Sequence, residues 1–108
     1  MTVNKAINSL SLEIINLTDG DRNIDGGYTG DLLSWVMGKA FYGDAWITIM
    51  SNVNILAVSS LLDFSCIILA ENVEISDELK AMAAQKGINL LRSEKSSYTL
   101  CTELGKLL

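Results

Sequence analysis

Ser65-Cys66-Ile67-Ile68-Leu69-Ala70 is a nearly continuous apolar run, and Ser76-Asp77-Glu78-Leu79-Lys80-Ala81-Met82-Ala83-Ala84-Gln85-Lys86-Gly87 follows it closely. The first segment reads as a strand covered on both faces, as a central position in a parallel sheet requires. The second reads as a helix. Ser76 is placed as its N-cap, Asp77 and Glu78 sit at the positive end of the dipole, Lys86 at the negative end, and Gly87 stops it in the left-handed region. Leu79, Met82 and Ala83 form its apolar face.

Outward from this pair the same alternation repeats. Ala45-Trp46-Ile47-Thr48-Ile49-Met50 is rich in strand formers, and the polar break Ser51-Asn52-Val53-Asn54 separates it from a short helix over 55–62. Downstream, Ile88-Asn89-Leu90-Leu91 predicts another strand. Ser96 or Ser97 opens a final helix with Leu100, Cys101, Leu104, Leu107 and Leu108 on one side. From residue 45 the order is therefore β-α-β-α-β-α with short connections, which implies parallel strands joined by right-handed crossovers.

The N-terminal part is less regular. Val3, Ala6, Ile7 and Leu10 recur at helical spacing behind a capping Thr2, and 12–17 is a strand candidate. A polar, glycine-bearing loop over 18–27 follows. Gly26-Gly27-Tyr28-Thr29-Gly30-Asp31 reads as a tight turn leading to a second helix over 30–42, capped by Thr29 or Asp31 and carrying Leu32, Leu33, Val36, Met37 and Ala40. The expectation is one α/β domain over 1–108, with a mainly parallel central sheet flanked by helices.

Composition narrows the function. The 108 residues are 49% hydrophobic but only 6% aromatic, with a mean hydropathy of +0.30, so aliphatic side chains do most of the packing. Eight basic against thirteen acidic side chains give a net charge of −5, which disfavours nucleic acid and anionic membranes as partners. There is no secretory leader pattern and no apolar stretch long enough to span a bilayer, which points to the cytoplasm.

Motifs for chemistry fail one by one. Gly38-Lys39-Ala40 has Leu33 where a phosphate loop needs its first glycine and Ala40 where it needs a hydroxyl. Asp19, Asp21, Asn23 and Asp25 suggest a calcium loop, but Gly30 stands where the twelfth-position acid belongs. The chain has no histidine, and Cys66 and Cys101 fall on apolar segments and read as buried small hydrophobes. Met37, Met50 and Met82 also read as core. The reading is a non-catalytic domain without metal or cofactor.

What survives is an edge. Ligands of parallel α/β sheets bind beyond the carboxyl ends of the strands, where loops and helix N-termini converge. The candidate ligand-binding residues there are Asn52, Asn54, Glu71, Asn72, Ser93 and Ser96, with Gly27 and Asp31 assisting. Uncharged Asn and Ser suit a small polar ligand better than strong phosphate capture. Trp35, Phe41, Tyr42 and Trp46 are a surplus of large side chains for so small a domain, which suggests burial in a two-fold homodimer.

The stretch Gly27-Tyr28-Thr29-Gly30-Asp31-Leu32-Leu33-Ser34-Trp35-Val36-Met37, with Trp46-Ile47-Thr48-Ile49 and Asn54-Ile55-Leu56-Ala57-Val58, resembles the DRTGG-domain family, above all its small stand-alone members. The likeness continues through Ile67-Ile68, Ser76-Asp77-Glu78-Leu79 and Ser96-Ser97-Tyr98. It implies an accessory α/β fold like the N-terminal domain of HPr kinase, acting beside a partner enzyme, and kinship with stand-alone members suggests a hydrogenase or redox context. The chain departs from the family signature at two places. Asn52-Val53 stands for Asp-Arg, and Leu69-Ala70-Glu71 for Thr-Gly-Gly.

Overall fold

The computed structural model describes residues 1–108. Its elements in chain order are α1 (Val3–Leu10), β1 (Glu13–Asn16), β2 (Gly26–Thr29), α2 (Leu33–Lys39), β3 (Asp44–Thr48), α3 (Asn54–Leu62), β4 (Cys66–Leu69), α4 (Asp77–Lys86), β5 (Leu90–Arg92) and α5 (Ser97–Leu107). The five strands form one sheet in the order β1-β5-β4-β3-β2. Four run parallel, and β1 joins β5 antiparallel at one edge.

The central strand is β4, and all four of its residues are buried, as its unbroken apolar run requires. One face of the sheet packs Ala45, Ile47, Cys66 and Ile68 against α1 and α5 through Val3, Ala6, Leu10, Leu100 and Leu104. The other packs Trp46, Ile67, Leu69 and Leu90 against α2, α3 and α4 through Val36, Ile55, Leu56, Leu79 and Ala83. The alternation of 45 and 47 with 46 along β3 is the strand period sorting residues to opposite faces.

Side-chain caps fix the starts of α1, α4 and α5 where the sequence placed them. The side chains of Thr2, Ser76 and Ser96 accept from the backbone N–H of Lys5, Leu79 and Thr99. Gly87 ends α4 at φ +69°, a backbone that other residues adopt at a cost.

Four expectations are corrected. Gly26–Thr29 is a strand and not a turn, because it pairs in parallel with β3, Gly26 beside Asp44 through Thr29 beside Ile47. A Cβ at Gly26 would lie 2.9 Å from the Asp44 carboxylate, so a glycine lets the two strands close. The second helix is shorter than 30–42, and neither Thr29 nor Asp31 caps it: Thr29 Oγ1 donates to the Ile47 carbonyl, and Asp31 serves β3. Trp46 is wholly buried, its indole N–H donating to the Gly30 carbonyl at 2.9 Å, so it belongs to the core and not to a surface surplus. Met37, Leu107 and Leu108, expected on apolar faces, are exposed, and Cys101 is only partly buried at the edge of the core.

Candidate ligand site at the carboxyl edge of the sheet

Thr48 lies beside Leu69, and Leu69 beside Arg92, so three parallel strands stop in one line. The chain leaves each end by a short polar segment into α3, α4 or α5. The strand ends converge as the β-α order requires; Asn52, Glu71, Asn72, Ser93 and Ser96 lie on those segments, and Asn54 is the first residue of α3.

Local hydrogen bonds shape each segment. Asn52 Oδ1 accepts from the Asn54 N–H at 2.9 Å, an Asx turn that starts α3. Ser93, buried, accepts from the Lys95 N–H at 3.0 Å, and Ser96 caps α5. Asp31 reaches the edge from the other direction. Its Oδ1 accepts from Thr48 Oγ1 at 2.8 Å and from the Ile49 N–H at 3.0 Å, fixing the end of β3.

The end of β4 is the most constrained. Glu71 and Asn72 are consecutive left-handed residues, at φ +61° and +52°. Long-range bonds hold them there: the Glu71 N–H donates to the Lys95 carbonyl and the Asn72 N–H to the Ser93 carbonyl, each at 2.9 Å. Both side chains are left exposed. Non-glycine residues in this region carry a cost of roughly 1–2 kcal/mol each, less for Asn, and the surrounding loops impose it.

Arg92 is the residue that the sequence reasoning passed over. It makes a two-pronged pair with Glu13, Nε to Oε1 at 3.0 Å and Nη2 to Oε2 at 3.1 Å, and its Nη1 donates to the Val73 carbonyl at 3.0 Å. The guanidinium thereby ties β1, β5 and the β4–α4 loop together. It also borders two clefts. One, of about 540 Å³, is lined with Ser51, Glu74, Ile75 and Ser76; the other, of about 290 Å³, with Ser11, Glu13, Ser93, Glu94 and Lys95. A lone arginine at the end of a strand was the available signal; its pairing with Glu13, 79 residues away, was not legible.

Gly27 stands apart from the group. It lies midway along β2 beside Ala45 and opens on a separate apolar groove of about 210 Å³ with Ile47, Cys101 and Leu104. Cys66, at the far end of β4, is sealed in the core, and burial pushes its thiol up from 9.0 to about 12 against smaller opposing effects of the Ser65 hydrogen bond and the Arg22 charge. It offers no thiolate near neutral pH. No helix is long and apolar enough to cross a membrane.

Comparison with known proteins agrees with this architecture. A crystal structure of the CBS and DRTGG domains of the regulatory region of Clostridium perfringens pyrophosphatase, complexed with its activator diadenosine tetraphosphate, is similar to this chain with a TM-score of 0.72 and 17% sequence identity. The likeness covers 95% of this chain and 45% of that one. No curated protein matches the sequence. The family model for the HPr serine kinase N terminus matches residues 49–108, which hold α3 to α5 and the three polar segments of the edge. With more than half its length matched, the chain belongs to the HPr serine kinase N-terminal family, as a DRTGG-like domain.

Proposed function

We propose that this domain is a non-catalytic regulatory module that binds a small polar ligand at the carboxyl edge of its sheet and acts through a partner enzyme. The observation that carries the reading is the cleft of about 540 Å³ where Ser51, Ser76, Glu74 and Arg92 meet, beside the exposed Asn52. Its size falls in the range of small-molecule sites. The similar pyrophosphatase region is a regulatory one with a small activator, and that supports the class of function.

The lining decides the ligand. Arg92 is the one cation in that cleft and its charge is matched by Glu13, while Glu74 faces the same space. A polyphosphate would meet little net positive charge. A neutral, amide- or hydroxyl-bearing molecule would find donors and acceptors in Ser51, Ser76 and Asn52, with the modest affinity that hydrogen bonds alone confer. A redox or hydrogenase setting fits the kinship with stand-alone relatives, and self-association as a two-fold dimer is part of the same reading.

The test is an NMR titration of the whole chain with a library of small polar compounds. Shifts gathered on Ser51, Asn52 and Ser76 are expected. Shifts confined to the amino edge around Asn89, or to the groove beside Gly27, would overturn the site.

A further inference from the structure

An exposed apolar feature with no role in the fold lies along α2. Leu32 is 62% exposed and Trp35 58%, in a chain whose aromatic content is only 6%. Leu33, Val36 and Ala40 turn toward the core, so the helix is already anchored by one stripe. Leu32 at the N-cap, Trp35, Gly38 and Lys39 form a second, exposed stripe at i, i+3, i+6 and i+7, with exposed Asp31 just ahead of the helix, and nothing in the chain covers it.

Charge and shape along this stripe select what would cover it. Asp31 stands before the first residue of α2 and Lys39 is the last. Lys39 has no carboxylate partner; its ammonium lies 4.9 Å above the Trp35 ring. Asp31 uses Oδ1 for Thr48 and Ile49, and Oδ2 makes no hydrogen bond. Reversing the helix about its middle puts the acid of one copy against the base of the other. The stripe is therefore complementary to itself in the antiparallel sense and repulsive in the parallel one.

We propose that a second copy of this chain docks on α2 by a two-fold axis near Trp35, pairing Asp31 with the partner subunit's Lys39 at both ends. This gives the self-association proposed above its surface, and rests on that reading. In this register Trp35 meets the partner subunit's Trp35, and Leu32 lies over the partner subunit's Gly38, where a Cβ would have no neighbour within 4 Å and the backbone is open to close approach. Rings at the centre and charges at the rim are the arrangement in which aromatic anchors carry the binding. Because Asp31 also holds the end of β3, the interface abuts the ligand edge.

Sedimentation and tryptophan quenching test this on the whole chain. Wild type is expected to be a dimer, and acrylamide quenching of Trp35 to fall as the protein concentration rises while buried Trp46 stays protected. Lys39→Glu, on an exposed position whose side chain makes no hydrogen bond or ion pair and touches only the exposed Trp35 ring, is expected to stay folded and to weaken the dimer by about tenfold or more, since it opposes Asp31 in both ends of the contact. A monomeric wild type would overturn both the self-association and its surface. A dimer of unchanged affinity in Lys39→Glu, or with Trp35 as open to quencher at high concentration as at low, would overturn the α2 surface alone.

Discussion

The two ends of the sheet use the same residue types to opposite ends. At the amino end Asn89 is buried and fully engaged. Its Oδ1 accepts from the backbone N–H of Thr18 and Asp19 at 2.9 and 3.0 Å, and its Nδ2 donates to the carbonyls of Asp19 and Ser65 at 2.8 and 3.0 Å. Those bonds span 24 to 71 residues of chain. At the carboxyl end Asn52 and Ser93 bond only two residues away, and Ser96 three. A side chain that joins distant segments fixes the fold, whereas one that shapes its own turn leaves the rest of its surface for a ligand.

The difference makes the amino end the place where substitution should hurt most. Asn89→Ala would leave the part-buried N–H groups of Thr18 and Asp19 and the buried Ser65 carbonyl without their side-chain partner, at a cost of roughly 2–3 kcal/mol. For a domain of this size that lowers Tm by roughly 10 °C, measurable by calorimetry. A loss no greater than that of Asn52→Ala would erase the contrast between the two ends.

An alkaline weakness sharpens the same contrast, since Cys66 opens β4 next to Ser65 at the amino end. Its thiol is raised from 9.0 to about 12 in the folded chain. Below pH 9.0 the native and unfolded chains both hold the proton and the thiol adds no pH dependence. Between 9.0 and about 12 the unfolded chain loses it first, so stability falls with rising pH by up to about 1.4 kcal/mol per unit. Urea unfolding across this window should show that slope, and Cys66→Ala should remove it. An equal slope in both proteins would mean that other groups set the alkaline limit.

At the carboxyl end the smallest effect is expected, and with the opposite sign. Glu71→Gly places at φ +61° the residue that tolerates it. The gain, set against the greater freedom of glycine in the unfolded chain, is expected to be about 0.5–1 kcal/mol. Destabilisation in a denaturant titration would show instead that the Glu71 side chain holds the turn.

How much of this was legible in the sequence follows from the range of the interactions. Ser76 to Gly87 announced α4 because caps, dipole charges and a left-handed stop are all local, and the unbroken run at 66–69 announced a central strand because burial on both faces leaves no polar alternation. Gly26–Thr29 did not read as a strand because two glycines mimic a turn, and its pairing with Asp44–Thr48 is a tertiary fact. Trp46 looked like surplus for the same reason: its partner, the Gly30 carbonyl, lies 16 residues away. The candidate site was readable as an edge, since strand ends follow from the β-α order. Its shape was not, because the Arg92–Glu13 pair joins the two ends of the chain.

The central claim is that short polar side chains at the carboxyl edge hold a ligand as well as shaping turns. Asn52→Ser separates the two roles, since serine keeps an oxygen to accept from the start of α3 and loses the carboxamide N–H donors. Calorimetric titration of wild type and Asn52→Ser with a compound that shifts Asn52 in the NMR screen, alongside their melting curves, is the direct measurement. The account predicts an unchanged Tm and a loss of about 1 kcal/mol or more in binding. Equal affinity in the two proteins would contradict it and leave Asn52 with only its turn before α3.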